Sequence, residues 1–233
     1  MISTDNTKKL GLSKVIISLS LSTIFIIIIV FLSAGRLTFW QGWVYSVLSA
    51  LVLLMTVAML YDQPDLISER LKPGKGMKRW DKIYYAFSSP FFFLSIILAC
   101  VDVGRFGWSP PLPISVYIIS CIIYVLGHSI FLWAKRTNKF FSSVVRIQTE
   151  RNQVVCQEGP YRFVRHPGYV GGIIFTLTTP LVLGALWAFV PAGIAVSSMV
   201  VRTYLEDKTL QKELPGYVDY TKKVRYRLIP GIW

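Results

Sequence analysis

Apolar residues run along this chain in long blocks separated by shorter polar stretches. Segments free of Asp, Glu, Lys and Arg cover 15–35, 37–61, 83–101, 106–134 and 167–201. Each is about as long as the ~20 residues that a helix needs to cross a ~30 Å hydrocarbon layer. The fifth block is too long for one crossing: its 35 residues would make a helix of ~52 Å at ~1.5 Å per residue. It contains Pro180, Gly184, Pro191 and Gly193. The pattern therefore predicts two short helices, roughly 169–184 and 187–201, forming a hairpin near Gly184. Beyond 201 the same helix continues into polar sequence and stops at Pro215-Gly216, a turn signal. The expectation is an all-α, polytopic membrane protein with about six helical membrane segments, the last two a short hairpin, and a cytoplasmic C-terminal helix.

Composition agrees with that pattern. Of 233 residues, 53% are hydrophobic and 16% charged, and the mean hydropathy is +0.52. A soluble domain carries ~25% charge, so a water-soluble domain, disorder, a coiled coil and collagen are all excluded. The net charge of +13 admits nucleic acid, anionic lipid or the positive-inside bias of a membrane protein. The long uncharged blocks remove nucleic acid and leave membrane lipids as a partner. The first block, Val15 to Leu32, exceeds the ~7–15 residue core of a secretory signal. It reads as a span, although Ser33-Ala34-Gly35 leaves cleavage open.

Loop charge supports the hairpin. With six spans, 23 of the 25 Lys and Arg lie on one face and 2 on the other. A single fifth span would split them 16 against 9. The positive-inside rule favours the first arrangement, with both termini and both long loops cytoplasmic. The chain then divides into a four-span region, 1–134, and a region at 135–233 that carries the candidate chemistry. No acid is expected inside any span.

Two polar clusters fall in that second region. The first runs Gly159-Pro160-Tyr161-Arg162-Phe163-Val164-Arg165-His166-Pro167-Gly168-Tyr169. Pro167 restricts His166 to extended geometry and suits a first helical turn. Gly168, Gly171 and Gly172 permit close approach of a ligand or another helix. The second cluster is Arg202-Thr203-Tyr204-Leu205-Glu206-Asp207. Arg202 and Glu206 are four apart and share a helix face. They make either a surface ion pair or a pair of ligand contacts, an Arg for a carboxylate and a Glu for a cationic group. The tail from Tyr220 to Trp233 mixes Lys, Arg, Tyr and Trp, a composition that suits the lipid headgroup layer.

Other features carry less. Cys100, Cys121, Cys156, His128 and His166 have no zinc spacing, so no metal is expected. His128 sits within the fourth span, as a functional group or as a neutral ring bonded to its own helix. The run Lys72 to Arg79 reads as an orienting loop touching anionic lipid. Phe91-Phe92-Phe93 and Ile26 to Ile29 read as packing or lipid-facing residues.

The order Gly159-Pro160-Tyr161, Arg165-His166-Pro167-Gly168-Tyr169-Val170-Gly171, Arg202-x3-Glu206-Asp207 and Gly216-Tyr217-x2-Tyr220 resembles the isoprenylcysteine carboxyl methyltransferase family, with the related phospholipid methyltransferases. The resemblance covers roughly 140–233. It implies an integral membrane enzyme that uses S-adenosyl-L-methionine to methylate a lipid-like or prenylated acceptor. It further implies that Gln153, Val154, Val155, Cys156, Tyr161, His166, Pro167, Gly168 and Tyr169 line the cofactor pocket. Glu206 matches a cofactor-binding acid, Gln148 a cofactor-binding Gln at altered spacing, and Arg202 the arginine that contacts the substrate carboxylate. Arg202 and Glu206 are thus the expected catalytic pair. Cys156 stands where a branched apolar residue is usual, so its backbone is what counts. Two rivals remain. Sterol-reductase-like proteins share an Arg-His-Pro-x-Tyr element and use NADPH, but this chain has Gly168 and Gly172 where they carry Asn and an acid. A transporter or scaffold is the other, and it sits poorly with polar groups gathered at one face.

Overall fold

The computed structural model describes residues 4–63 and 76–233. Seven α-helices form within them: α1 (Thr4–Ala34), α2 (Trp40–Leu60), α3 (Arg79–Val101), α4 (Ile114–Thr137), α5 (Pro167–Leu183), α6 (Phe189–Glu213) and α7 (Tyr217–Lys223). A π-turn, Asp102–Phe106, prolongs α3, and 3-10 turns occur at Thr149–Arg151 and Gly159–Arg162. There is no strand among the described residues. Among the described residues, four helical stretches are long and apolar enough to cross a membrane: Ile16–Ala34, Trp40–Met59, Arg79–Phe106 and Ile114–Thr137. α5 is apolar but shorter. Of the Lys72 to Arg79 run, residues 72–75 lie outside the described residues.

Local chemistry explains the helix ends. α5 begins at Pro167, whose missing N–H is harmless in a first turn, and stops at Gly184 in the left-handed region (φ 81). A side chain at Gly184 would also meet the Tyr117 hydroxyl, 2.5 Å from the Cβ position. The hairpin therefore turns where glycine is required, and α6 continues unbroken from Phe189 into the polar sequence. At the same end of the bundle, Arg105 donates from Nε to the Ser33 carbonyl and from Nη2 to Leu32, each at 2.6 Å. Arg36 Nη2 donates to the Val103 carbonyl at 3.1 Å. These cations satisfy helix carbonyls that have no partner of their own.

α5 is the central helix, touching α2, α3, α4 and α6. Its tightest seam is with α4, where a Cβ on Gly171 would lie 2.5 Å from the Gly127 carbonyl oxygen. Such contact lets two backbones meet in a setting where packing, not water exclusion, drives helix association. One buried cluster (Phe39, Tyr45, Ile96, Cys100, Tyr124, Leu183 and neighbours) fills the hairpin end. A second (Ala134, Tyr161, Leu214, Tyr217, Tyr220) fills the opposite end. The outward faces are apolar, as with Leu21, Phe25 and Leu32 on α1, which are 55–69% exposed. Apolar exposure on that scale marks lipid contact.

Two expectations change. The third span carries acids at both ends, Asp81 and Asp102, each fully buried. The uncharged-block rule missed them because side-chain partners let a helix keep an acid where it meets the membrane boundary. The tail is not confined to the headgroup layer: Tyr220 is 2% exposed and donates to the Tyr161 carbonyl at 2.6 Å. The backbone N–H groups of Arg165 and His166 donate to Tyr226 and Arg227 carbonyls at 2.9 and 3.0 Å. Backbone pairing and a buried ion pair outweigh the amphipathic character of these residues.

Candidate active site

A cavity of about 280 Å³ opens at the end of the bundle opposite the hairpin turn. Its walls come from α3 (Tyr85), α4 (Phe131, Lys135), the N-terminus of α5 (Gly168, Tyr169), α6 (Arg202, Glu206, Leu210) and the connecting segment 138–166. Of the expected site residues, Gln148, Gln153, Val154, Val155, Cys156, Tyr161, His166, Gly168, Tyr169, Arg202 and Glu206 all line it. Pro167 does not line it; it is the first residue of α5 and sets that helix's direction.

The α6 pair is brought together without an ion pair between its members. Arg202 Nε donates to Asp81 Oδ1 at 2.8 Å, and Nη2 donates to the Ser143 carbonyl at 2.8 Å. Its guanidinium lies over Tyr84, Tyr85 and Tyr169, 4.6 to 5.5 Å from the ring centres. Glu206 accepts a short hydrogen bond from the Tyr169 hydroxyl at Oε2. Its Oε1 has no hydrogen-bond partner among the described residues. One wall thus presents a held cation and, one helical turn on, a held acid with a free oxygen.

The connecting segment supplies a different kind of group. The N–H groups of Val154, Val155 and Cys156 donate to no protein acceptor among the described residues. Polar backbone normally finds a partner, so three consecutive free donors on a cavity wall suit a polar ligand. Gln148 does not offer its amide in the same way. Its Nε2 donates to the Phe140 carbonyl at 2.6 Å, and its Oε1 accepts from Arg151 Nη1 at 2.6 Å. Gln153 Oε1 takes the Gln148 N–H at 2.7 Å. Gln148 shapes the loop that presents its neighbours. Burial pushes the Cys156 thiol above its ordinary pKa, and that of Tyr161 rises for the same reason. Both side chains therefore stay neutral at pH 7.

Asp207 organises the floor, a role that its place beside Glu206 in the motif did not disclose. It is fully buried. Arg165 grips it in a fork, Nε to Oδ1 at 2.7 Å and Nη2 to Oδ2 at 3.0 Å. Arg227 Nε and Gln211 Nε2 reach Oδ2 at 2.8 and 2.7 Å. The Tyr217 hydroxyl donates to Oδ1 at 3.1 Å, and His166 Nε2 lies 3.2 Å from the same atom. Burial opposes ionisation of Asp207, but hydrogen bonds from His166, Arg165 and Arg227 outweigh it and hold the carboxyl well below the usual range. His166 is therefore oriented by Asp207 rather than free in the cavity. His128 lies elsewhere: Nδ1 is 3.0 Å from the Tyr124 carbonyl, and the ring stacks on Phe175 at 4.1 Å.

Among the described residues, no group of three or more His, Cys, Asp or Glu could hold a metal ion. Comparison with known proteins agrees with the motif. A protein-S-isoprenylcysteine O-methyltransferase of Schizosaccharomyces pombe is 24% identical over 159 residues, 64% of this chain and 58% of that protein. A Delta(14)-sterol reductase of Mus musculus is 27% identical over 135 residues, 53% of this chain but 32% of that protein. The matched stretch thus spans a little over half of the methyltransferase and about a third of the reductase. The model of the isoprenylcysteine carboxyl methyltransferase family matches residues 115–212. That segment runs from the start of α4 nearly to the end of α6, holds Arg202, Glu206 and the connecting segment, and is the part of the chain that is similar to the isoprenylcysteine carboxyl methyltransferase family.

Proposed function

We propose that this protein transfers the methyl group of S-adenosyl-L-methionine to a carboxylate on a lipid-like acceptor, with a prenylated cysteine as the class to test first. The observation that carries this reading is the wall of α6, where Arg202 and Glu206 face one cavity, together with the free amide donors of 154–156. The donor set fits the group. An acid with a free oxygen suits an ammonium or a sulfonium, uncommitted amides suit a purine or a carboxylate, and Phe140 and Phe141 offer flat apolar surface. The family match supports the same chemistry.

When bound, S-adenosyl-L-methionine supplies a methyl group on a positively charged sulfur, so an acceptor oxygen gains the methyl carbon as the carbon–sulfur bond breaks and S-adenosylhomocysteine is left. The protein's own task is alignment. A carboxylate is already ionised at pH 7, so no residue here has to remove a proton. Arg202 Nη1, which takes no acceptor among the described residues, is the donor left for the acceptor's carboxylate. Tyr169 holds Glu206 by one oxygen, so the other has a fixed direction. Phe131 and Phe141 line the cavity and keep water from a reacting anion, whose nucleophilicity rises as it is desolvated. Positioning of this kind is worth effective molarities of up to ~10⁵–10⁸ M. The cavity end faces the cytoplasm in this reading, because the cations of the sequence gather in the segments expected at that end, while Arg36 and Arg105 sit at the other.

Calorimetric titration of detergent-purified protein with S-adenosylhomocysteine, and separately with NADPH, tests the assignment. Saturable binding of the first, lost in Glu206→Ala, is the expected result. Binding of NADPH alone would move the protein to the reductases. Binding of neither by folded protein would favour a transporter or scaffold.

A further inference from the structure

An arginine that clamps a carboxylate must present one edge of its guanidinium in one direction, yet its stem is long and flexible. Arg202 is restrained by a residue 121 positions away in the chain. Asp81, in the first turn of α3, is fully buried. Its Oδ1 takes Arg202 Nε at 2.8 Å, and its Oδ2 takes the backbone N–H of Val145 at 2.7 Å. Both carboxylate oxygens are therefore used, one on the arginine and one on a residue that lines the cavity. Ser143, two residues back on the same loop, accepts from Arg202 Nη2 and from the Tyr85 hydroxyl through its carbonyl. Loop, α3 and α6 thus close a ring around the guanidinium, and Nη1 is the edge that meets no carboxylate or carbonyl among the described residues.

We infer that Asp81 is a positioning residue for methyl transfer: it fixes Arg202 so that the Nη1 edge meets the acceptor carboxylate, and it ties that edge to the loop that forms the cavity rim. Paired with Asp81, Arg202 brings no net charge to the cavity. Recognition of the acceptor then depends on a correctly aimed hydrogen bond, which misplacement forfeits, rather than on long-range attraction, which tolerates it. The α3–α6 seam does not depend on Asp81 alone. Lys78 Nζ binds both oxygens of Glu213 at 2.7 Å, and Ser198 Oγ donates to Ser88 Oγ at 2.9 Å. Removing the Asp81 charge should therefore disturb the aim of Arg202 more than the packing of the helices.

This inference rests on the carboxylate-methylation reading, and its test separates the two. Full-length protein in nanodiscs is assayed with radiolabelled S-adenosyl-L-methionine and N-acetyl-S-farnesylcysteine, alongside S-adenosylhomocysteine calorimetry. In Asp81→Asn the KM for the farnesylcysteine probe should rise about tenfold or more, with a smaller change in kcat. The S-adenosylhomocysteine Kd should stay within about twofold of wild type, and Asp81→Glu should recover part of the loss. An unchanged KM in Asp81→Asn would overturn the inference. So would loss of S-adenosylhomocysteine binding in both variants, which would mark Asp81 as a fold residue. If the wild-type protein binds S-adenosylhomocysteine but methylates no prenylated carboxylate, the functional reading fails first and the role of Asp81 falls with it.

Discussion

The two ends of α3 each bury an aspartate completely, and they satisfy it in opposite ways. Asp102, at the hairpin end, takes the Ser109 N–H at 2.7 Å and its hydroxyl at 2.5 Å, seven residues away. Its own carbonyl accepts from Gly107, and Ser109 Oγ passes the connection on to the Leu186 N–H at 2.7 Å. Asp81, at the cavity end, finds its partners 64 and 121 residues away. A buried charge without partners costs several kcal/mol, so neither site could be left open. The nearby arginines follow the same division. Arg36 and Arg105 cap helix carbonyls, whereas Arg165 and Arg202 each meet a buried carboxylate. One end is a seal made of local turns. The other is a frame around a hollow, in which long-range pairs set the direction of side chains.

That contrast can be broken most severely at Asp207. Asp207→Ala leaves Arg165 and the cavity side of His166 without their shared buried partner, a loss of ~3–5 kcal/mol. Thermal unfolding in detergent should show the drop, with S-adenosylhomocysteine binding lost as well; near-wild-type stability would refute Asp207 as the organiser. Arg202→Ala comes next. It removes a charge-assisted contact of ~1.5–3 kcal/mol, so transfer to a carboxylate should fall at least ~10-fold while S-adenosylhomocysteine affinity holds. Retained transfer would remove Arg202 from the acceptor site. Asp102→Asn is smaller and opposite in kind: it should lower stability by ~1–3 kcal/mol and leave the acceptor KM unchanged. A changed KM would mean that the two ends are coupled. Arg36→Gln should have the least effect, a fall in Tm of under about 2 °C with activity intact.

Acidity sharpens the same comparison. The Asp207 carboxyl is held below its ordinary range, so its contribution to stability is fully present above the unfolded value of ~3.9 and is lost as pH falls through the folded value. Stability should therefore decline below about pH 4. Asp207→Asn should flatten that limb, which a pH series of unfolding curves would show; an unchanged limb would assign it to other carboxylates.

The seal was far more legible in the sequence than the frame. Gly184 marked the hairpin turn because only a residue without a side chain suits that backbone and that distance from Tyr117. Pro167 marked the start of α5, and charge-free blocks marked the spans. Arg202 and Glu206 stood out through their shared helix face and their place in a motif. Asp81 carried no signal in the sequence, since nothing local ties it to Val145 or Arg202. Asp207 stood in plain view beside Glu206, but its partners Arg165 and Arg227 lie 42 and 20 residues away. Gln148 was placed on the cavity wall, while the bonds that occupy its amide depend on a loop path that spacing does not reveal. What sequence pattern conveys is periodicity and backbone constraint; what it hides is the identity of distant partners.

α6 runs without a break from Phe189 to Glu213 and carries both Arg202 and Glu206. Four residues along a helix amount to ~6 Å of rise and ~40° of rotation. The separation between the group that would hold the acceptor and the group that would hold the methyl donor is therefore a gauge cut into the backbone, which loop motion does not alter. One residue inserted between them would swing Glu206 by ~100° and uncouple the two. The walls that would select an acceptor come from other elements, through Tyr85, Phe131 and Phe141. If the protein is the methyltransferase proposed above, the range of acceptors could drift with those walls while the distance over which a methyl group moves would stay constant.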